Sequence, residues 1–103
     1  MSDYLADVQK YDAGADAGTV DKIVKHLGIA LRSRDSSLVA CSDDSELARV
    51  RDSWCMKKLG ATDAAACDSA IADVCETMSG DNSKRRVTFY YLVAKKMGML
   101  GAL

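Results

Sequence analysis

The chain has 103 residues, of which 49% are hydrophobic and 28% charged, with a net charge of −1. That length suits one domain with a real core, and the balance excludes a disordered chain. The near-zero charge argues against nucleic acid or an anionic membrane surface as a partner, and no apolar run approaches the roughly 20 residues that cross a bilayer.

Helical spacing of apolar residues predicts five helices in turn. The first covers about Asp3 to Tyr11, with Ser2 as its cap and Tyr4, Leu5, Val8 and Tyr11 on one face. A glycine- and aspartate-rich stretch, residues 12–18, breaks it. The second starts at Thr19 as cap, buries Val20, Ile23, Val24 and Leu27, and stops at Gly28, which suits a left-handed cap. Residues 29–41 give no clear pattern; Leu38 to Cys41 are expected to plug the core from a short helix or loop.

The third helix is capped by Ser42 or Asp43. Asp43 to Glu46 has the spacing of a capping box, and Lys57 and Lys58 complement its C-terminal dipole. Leu47, Val50, Trp54 and one of Met56 or Leu59 face inward, and Gly60 ends it. The fourth, capped by Thr62 and running to about Met78, carries Cys67, Ala70, Ile71, Val74, Cys75 and Met78 at unbroken helical spacing. The fifth runs from after Ser83 to about Met97. Its Val87–Val93 run favours a strand on propensity alone. The apolar residues do not alternate, and no partner strand exists, so a central helix touched on several sides is expected instead. The complete expectation is all-α: a compact single-domain bundle of about five helices over residues 1–103.

The charges are laid out unevenly. Asp63 to Ser79 holds four acids and no base, while Lys84 to Met97 holds five bases and no acid. The two helices should pair antiparallel, with these rims adding modestly to apolar burial. Lys84, Arg85 and Arg86 sit at a helix N-terminus, against the dipole. Either they pair with acids of the fourth helix or with Asp43 and Asp44, or they form an anion site. Arg32, Arg34, Arg49 and Arg51 would join such a site if they converge.

Motifs for chemistry are sparse. The four cysteines, Cys41, Cys55, Cys67 and Cys75, are spaced by 14, 12 and 8 residues with no Cys-x-x-Cys pair. The N-terminus does not read as an export signal, so reduced thiols filling helix interfaces in a cytoplasmic protein are expected. No metal site or cofactor is indicated. His26 has no nucleophile beside it in sequence, and no phosphate loop exists, so catalysis is not expected. Trp54 to Thr62 with the helix after it resembles a helix-turn-helix. The second helix offers Asp63, Asp68 and Asp73 to the phosphates and no base, which argues against DNA.

Three stretches look familiar: Ile23–Asp35, Ser45–Trp54 with Lys57–Gly60, and Arg86–Ala94. They are similar to domain-of-unknown-function family 2853, a family of short, uncharacterised bacterial proteins. The resemblance covers nearly the whole chain and implies a stand-alone, single-domain bacterial protein. It implies no activity, ligand or active site.

The functional expectation is a non-enzymatic binding or assembly protein with an unknown protein partner. Phe89, Tyr90, Met99, Leu100 and Leu103 are its candidate sticky surface, and homodimerisation is the hypothesis they raise. The alternative is nucleic-acid or other anion binding through Arg32, Arg34, Arg49, Arg51, Lys84, Arg85 and Arg86.

Overall fold

The computed structural model describes residues 2–28, 38–80 and 84–102. Five α-helices form among them: α1 (Ser2–Gln9), α2 (Ala17–Leu27), α3 (Asp44–Arg49), α4 (Ala64–Thr77) and α5 (Arg86–Lys96). A π-helical stretch, Val50–Lys58, continues α3, and a 3₁₀ turn, Leu100–Ala102, follows α5. The only β pairing among the described residues is an isolated antiparallel bridge between Leu38 and Arg85.

Aspartates start three of the helices. Asp16 caps α2 by accepting from the Thr19 backbone N–H at 3.0 Å. Asp43 caps α3 through the N–H groups of Ser45 and Glu46, at 3.0 and 3.4 Å. Asp63 caps α4 through those of Ala65 and Ala66, at 3.0 and 3.3 Å. A carboxylate here satisfies orphan donors and meets the positive end of the dipole. Two expected caps are thereby corrected. Thr19 lies inside α2, where it donates to Asp16, and Thr62 precedes the residue that caps α4. Gly28 closes α2 at φ +42° and Gly60 follows the π stretch at φ +80°, both in a region that side chains resist.

The widened turns after Arg49 change which residues face inward. The Leu59 N–H donates to the Trp54 carbonyl at 2.9 Å, five residues back. Val50, Trp54, Cys55 and Leu59 are buried as a result, whereas Leu47 and Met56 are half-buried. Neighbouring Trp54 and Cys55 are both fully buried. That places the tryptophan under α5 and the cysteine against α4.

Helix α5 is the hub. Every residue from Arg86 to Ala94 is buried, because α1, α2, α4 and the π stretch all pack on it. The helix expected in place of a strand is therefore observed. On α4 the stripe of Cys67, Ala70, Ile71, Val74 and Met78 is buried as the spacing predicts, with Cys75 half-buried beside it. The Cα radius of gyration, 12.3 Å, matches a chain of about 100 residues folded around one core.

The cysteines are paired, which corrects the expectation of free thiols. Cys41 is bonded to Cys75, with Cα atoms 5.9 Å apart, and Cys55 to Cys67, at 6.1 Å. Both separations suit a disulfide. Linear spacing says little about such pairs, because helix packing brings distant positions together.

Candidate functional site

Among the described residues, buried polar side chains are few, and each has a partner. At the start of α5, the Arg86 guanidinium is buried and meets the Glu46 carboxylate from α3. It also donates to the Leu38 carbonyl at 3.1 Å and the Tyr90 hydroxyl at 3.3 Å. Arg49 approaches the other oxygen of Glu46 at 3.6 Å from the surface. Glu46 thus sits between two arginines and ties α3 to α5. Removing one partner from such a buried, hydrogen-bonded pair costs far more than the pair contributes over an apolar replacement.

A second cluster joins α1 to α5. The buried Asp7 carboxylate accepts from the Thr88 hydroxyl and meets Lys10 at 2.9 Å. Nearby, the Tyr91 hydroxyl donates to Asp12 at 2.7 Å, and Lys95 lies 3.2 Å from the same carboxylate. These contacts hold Asp12 below its ordinary value, with the Tyr91 hydrogen bond the largest cause and Lys95 next. Burial first, then Asp12, pushes the Tyr91 phenol up to about 12. Such a phenol stays protonated at neutral pH and acts as a fixed donor.

Trp54 completes the interior. Its indole N–H donates to the Tyr90 carbonyl at 3.0 Å, and its ring stacks on Tyr90 with centroids 4.7 Å apart. His26, exposed on its outer side, tilts against the same indole at 5.2 Å. Among the described residues, no nucleophile is hydrogen-bonded to it.

The residues singled out in the sequence fall in different places. Arg32, Arg34 and Leu103 lie outside the described residues. Arg49 and Arg86 meet at Glu46. Arg51 pairs with Asp52 at 2.8 Å and with Asp68 of α4 at 3.5 Å. Arg85 lies over the Tyr4 ring at 5.9 Å, and Lys84 is half-buried with its carbonyl accepting from the Val39 N–H at 2.8 Å. The described basic residues therefore contact acids, rings or loops instead of gathering around one open point. Within the Lys84–Arg86 group, Arg86 takes an acidic partner from α3, Glu46, and among the described residues no ion pair joins the group to α4 or to Asp43 and Asp44.

The candidate sticky residues need correction. Phe89 is 0% and Tyr90 5% exposed, so α5 spends its aromatic face on the core and cannot offer it to a second molecule. Met99 and Leu100 are half-buried against the same core. This part of the tail docks on its own body.

The open surface lies elsewhere. A hollow of about 430 Å³ runs between the end of α1, α4 and α5, lined by Tyr11, Val74, Thr77, Leu92, Lys95 and Lys96. A second hollow adjoins it, lined by Asp73, Glu76, Thr77 and Lys96. Lys96 reaches Asp73 at 3.8 Å between them, with both side chains about half exposed. An apolar floor is thus bordered by exposed lysines on one side and exposed acids on the other. The sequence showed the charge asymmetry of the two helices but gave no sign of the hollow.

The family model described as a protein of unknown function (DUF2853) matches residues 3–101. The chain belongs to this family. Among curated proteins, none matches it.

One further cavity of this DUF2853 protein borders the Cys41–Cys75 bridge. It measures about 600 Å³ and is lined by residues that include Val39, Cys41, Ser42, Cys75 and Lys84. Among the described residues, no three His, Cys, Asp or Glu side chains gather as metal ligands, and no helix is long and apolar enough to cross a membrane. The described DUF2853 surface thus carries hollows with charged residues among their lining.

Proposed function

We propose that this chain is a small non-enzymatic binding and assembly protein that associates with a second copy of itself through the α4–α5 edge. One observation carries the reading: the hollow beside half-buried Tyr11, flanked by exposed Lys95 and Lys96 on α5 and by exposed Asp73 and Glu76 on α4. A two-fold interface presents the same patch from both molecules. Antiparallel apposition of this edge sets the lysines of each copy against the acids of the other, around the hollow beside Tyr11. The contact that Lys96 already makes with Asp73 is an exposed one worth about 0–1 kcal/mol, so it can be exchanged at little cost, whereas Lys95 also holds the half-buried Asp12. The earlier surface of α5 aromatics and tail residues is replaced by this one, because burial removes Phe89 and Tyr90.

A cytoplasmic setting remains part of the reading. In that compartment a disulfide that the thiol pool can reach would be made and broken and would not be permanent.

Light scattering coupled to size exclusion tests the association at about 100 µM, well above a micromolar dissociation constant. The expected result is a dimer that the pair Lys95→Glu and Lys96→Glu dissociates. The pair Asp73→Lys and Glu76→Lys should dissociate it too, and mixing the two variants should restore a heterodimer. A wild-type chain that stays monomeric, or variants that fail to complement, would overturn the proposal. A protein partner of different sequence would then be the occupant to seek.

A further inference from the structure

We propose that the Cys41–Cys75 bridge is a reversible modification site that takes a small peptide thiol, whereas Cys55–Cys67 is a structural staple. Three observations converge on it. Burial separates the two bridges: Cys55 and Cys67 are both 0% exposed, while Cys41 and Cys75 are half-buried. Attack on a disulfide needs a line of approach to sulfur, so access alone ranks them. The accessible bridge also forms part of the wall of a cavity of about 600 Å³, a volume within the range of small-molecule sites. That cavity is lined by Lys84 as well, and its wall is fixed by the Val39 N–H to Lys84 carbonyl bond at 2.8 Å and the Leu38–Arg85 bridge. Lys84 brings a cationic residue to this lining, and positive charge near sulfur favours an anionic incoming thiol and the departing thiolate alike.

The chemistry balances without an outside oxidant. The thiolate of the peptide thiol forms a new S–S bond with one of the two cysteine sulfurs. The Cys41–Cys75 bond breaks, and the other sulfur leaves as a thiolate carrying the electron pair. A second small thiol reverses the adduct and leaves both cysteines reduced, with the small-molecule disulfide as the oxidised product. Opening the bond frees the segment before α3 from the last turns of α4, while Cys55–Cys67 still holds the π stretch to the start of α4. The site does not depend on self-association, because the bridge opens on a separate cavity and exchange can be followed on dilute monomer.

The test uses the full oxidised chain with graded reduced glutathione, quenched with iodoacetamide and mapped by peptide mass spectrometry. The expected result is a glutathione adduct and alkylation on Cys41 and Cys75 at thiol concentrations at least about tenfold below those that open Cys55–Cys67. The substitution Lys84→Gln, with an unchanged circular dichroism spectrum, should slow adduct formation about threefold or more. Three results would overturn the proposal: both bridges opening together, Cys55–Cys67 opening first, or four free thiols in protein isolated without reductant. An unchanged rate in the Lys84→Gln chain would remove the lysine from the site.

Discussion

His26 shows how one side chain sets a pH response. Its imidazole rests against Trp54 and close to the end of the π stretch, where burial first and the Lys58 charge second hold its pKa below 6.5. The unfolded chain therefore binds that proton more tightly than the folded one. The contribution of His26 to stability is complete above the unfolded value of 6.5. It declines as pH falls through the lower folded value and then levels off. No other side-chain type has its ordinary pKa in this window. Urea midpoints should therefore drop between about pH 7 and pH 5, and His26→Gln should flatten that part of the profile. A wild-type profile that is level across the window would contradict the shift.

At the scale of elements, the caps make the sharpest claim. Asp63 accepts from two backbone N–H groups of α4, whereas Thr62 is exposed and caps nothing. Asp63→Ala should cost about 1 kcal/mol in urea unfolding, and Thr62→Ala should stay within about 0.5 kcal/mol. The reverse ranking would return the cap to Thr62. The case also shows what a sequence can carry. The stripe Cys67–Ala70–Ile71–Val74–Met78 was legible because helical period alone decides which face is buried. The Val87–Val93 run was legible as a helix because nothing else in the chain could pair with it as a strand. Cap identity was not, since Thr and Asp stand side by side and only backbone torsion chooses between them. The π stretch was hidden too, because it shifts the inward face from Met56 to Cys55 with no residue type that announces it. Asp7 did leave a signal: it lies three residues after Tyr4 and four before Tyr11, on the apolar face of α1, and Thr88 is the hydroxyl within the buried run of α5 that answers it. Glu46 with Arg86, forty residues apart, left none.

For the molecule as a whole, the two disulfides weigh as much as any single feature of the core. Pairing was beyond the reach of spacing, because which cysteines meet depends on how α3, the π stretch and α4 stack. Once paired, ring size orders their effects. Cys41–Cys75 spans 34 residues and Cys55–Cys67 spans 12. Closing those loops in the unfolded chain is worth somewhat under about 4 and about 3 kcal/mol respectively. A chain of this size has about 5–15 kcal/mol of stability in total. Opening the longer ring alone should therefore lower the melting temperature by roughly 15–25 °C while the bundle stays folded at room temperature. The five-helix core and the surviving Cys55–Cys67 ring supply what remains. Opening both rings should bring the fold close to the margin. A thermal melt followed by circular dichroism, on protein oxidised, reduced at Cys41–Cys75 only, and fully reduced, measures the two steps. Equal melting temperatures in all three states would mean that helix packing alone carries the fold.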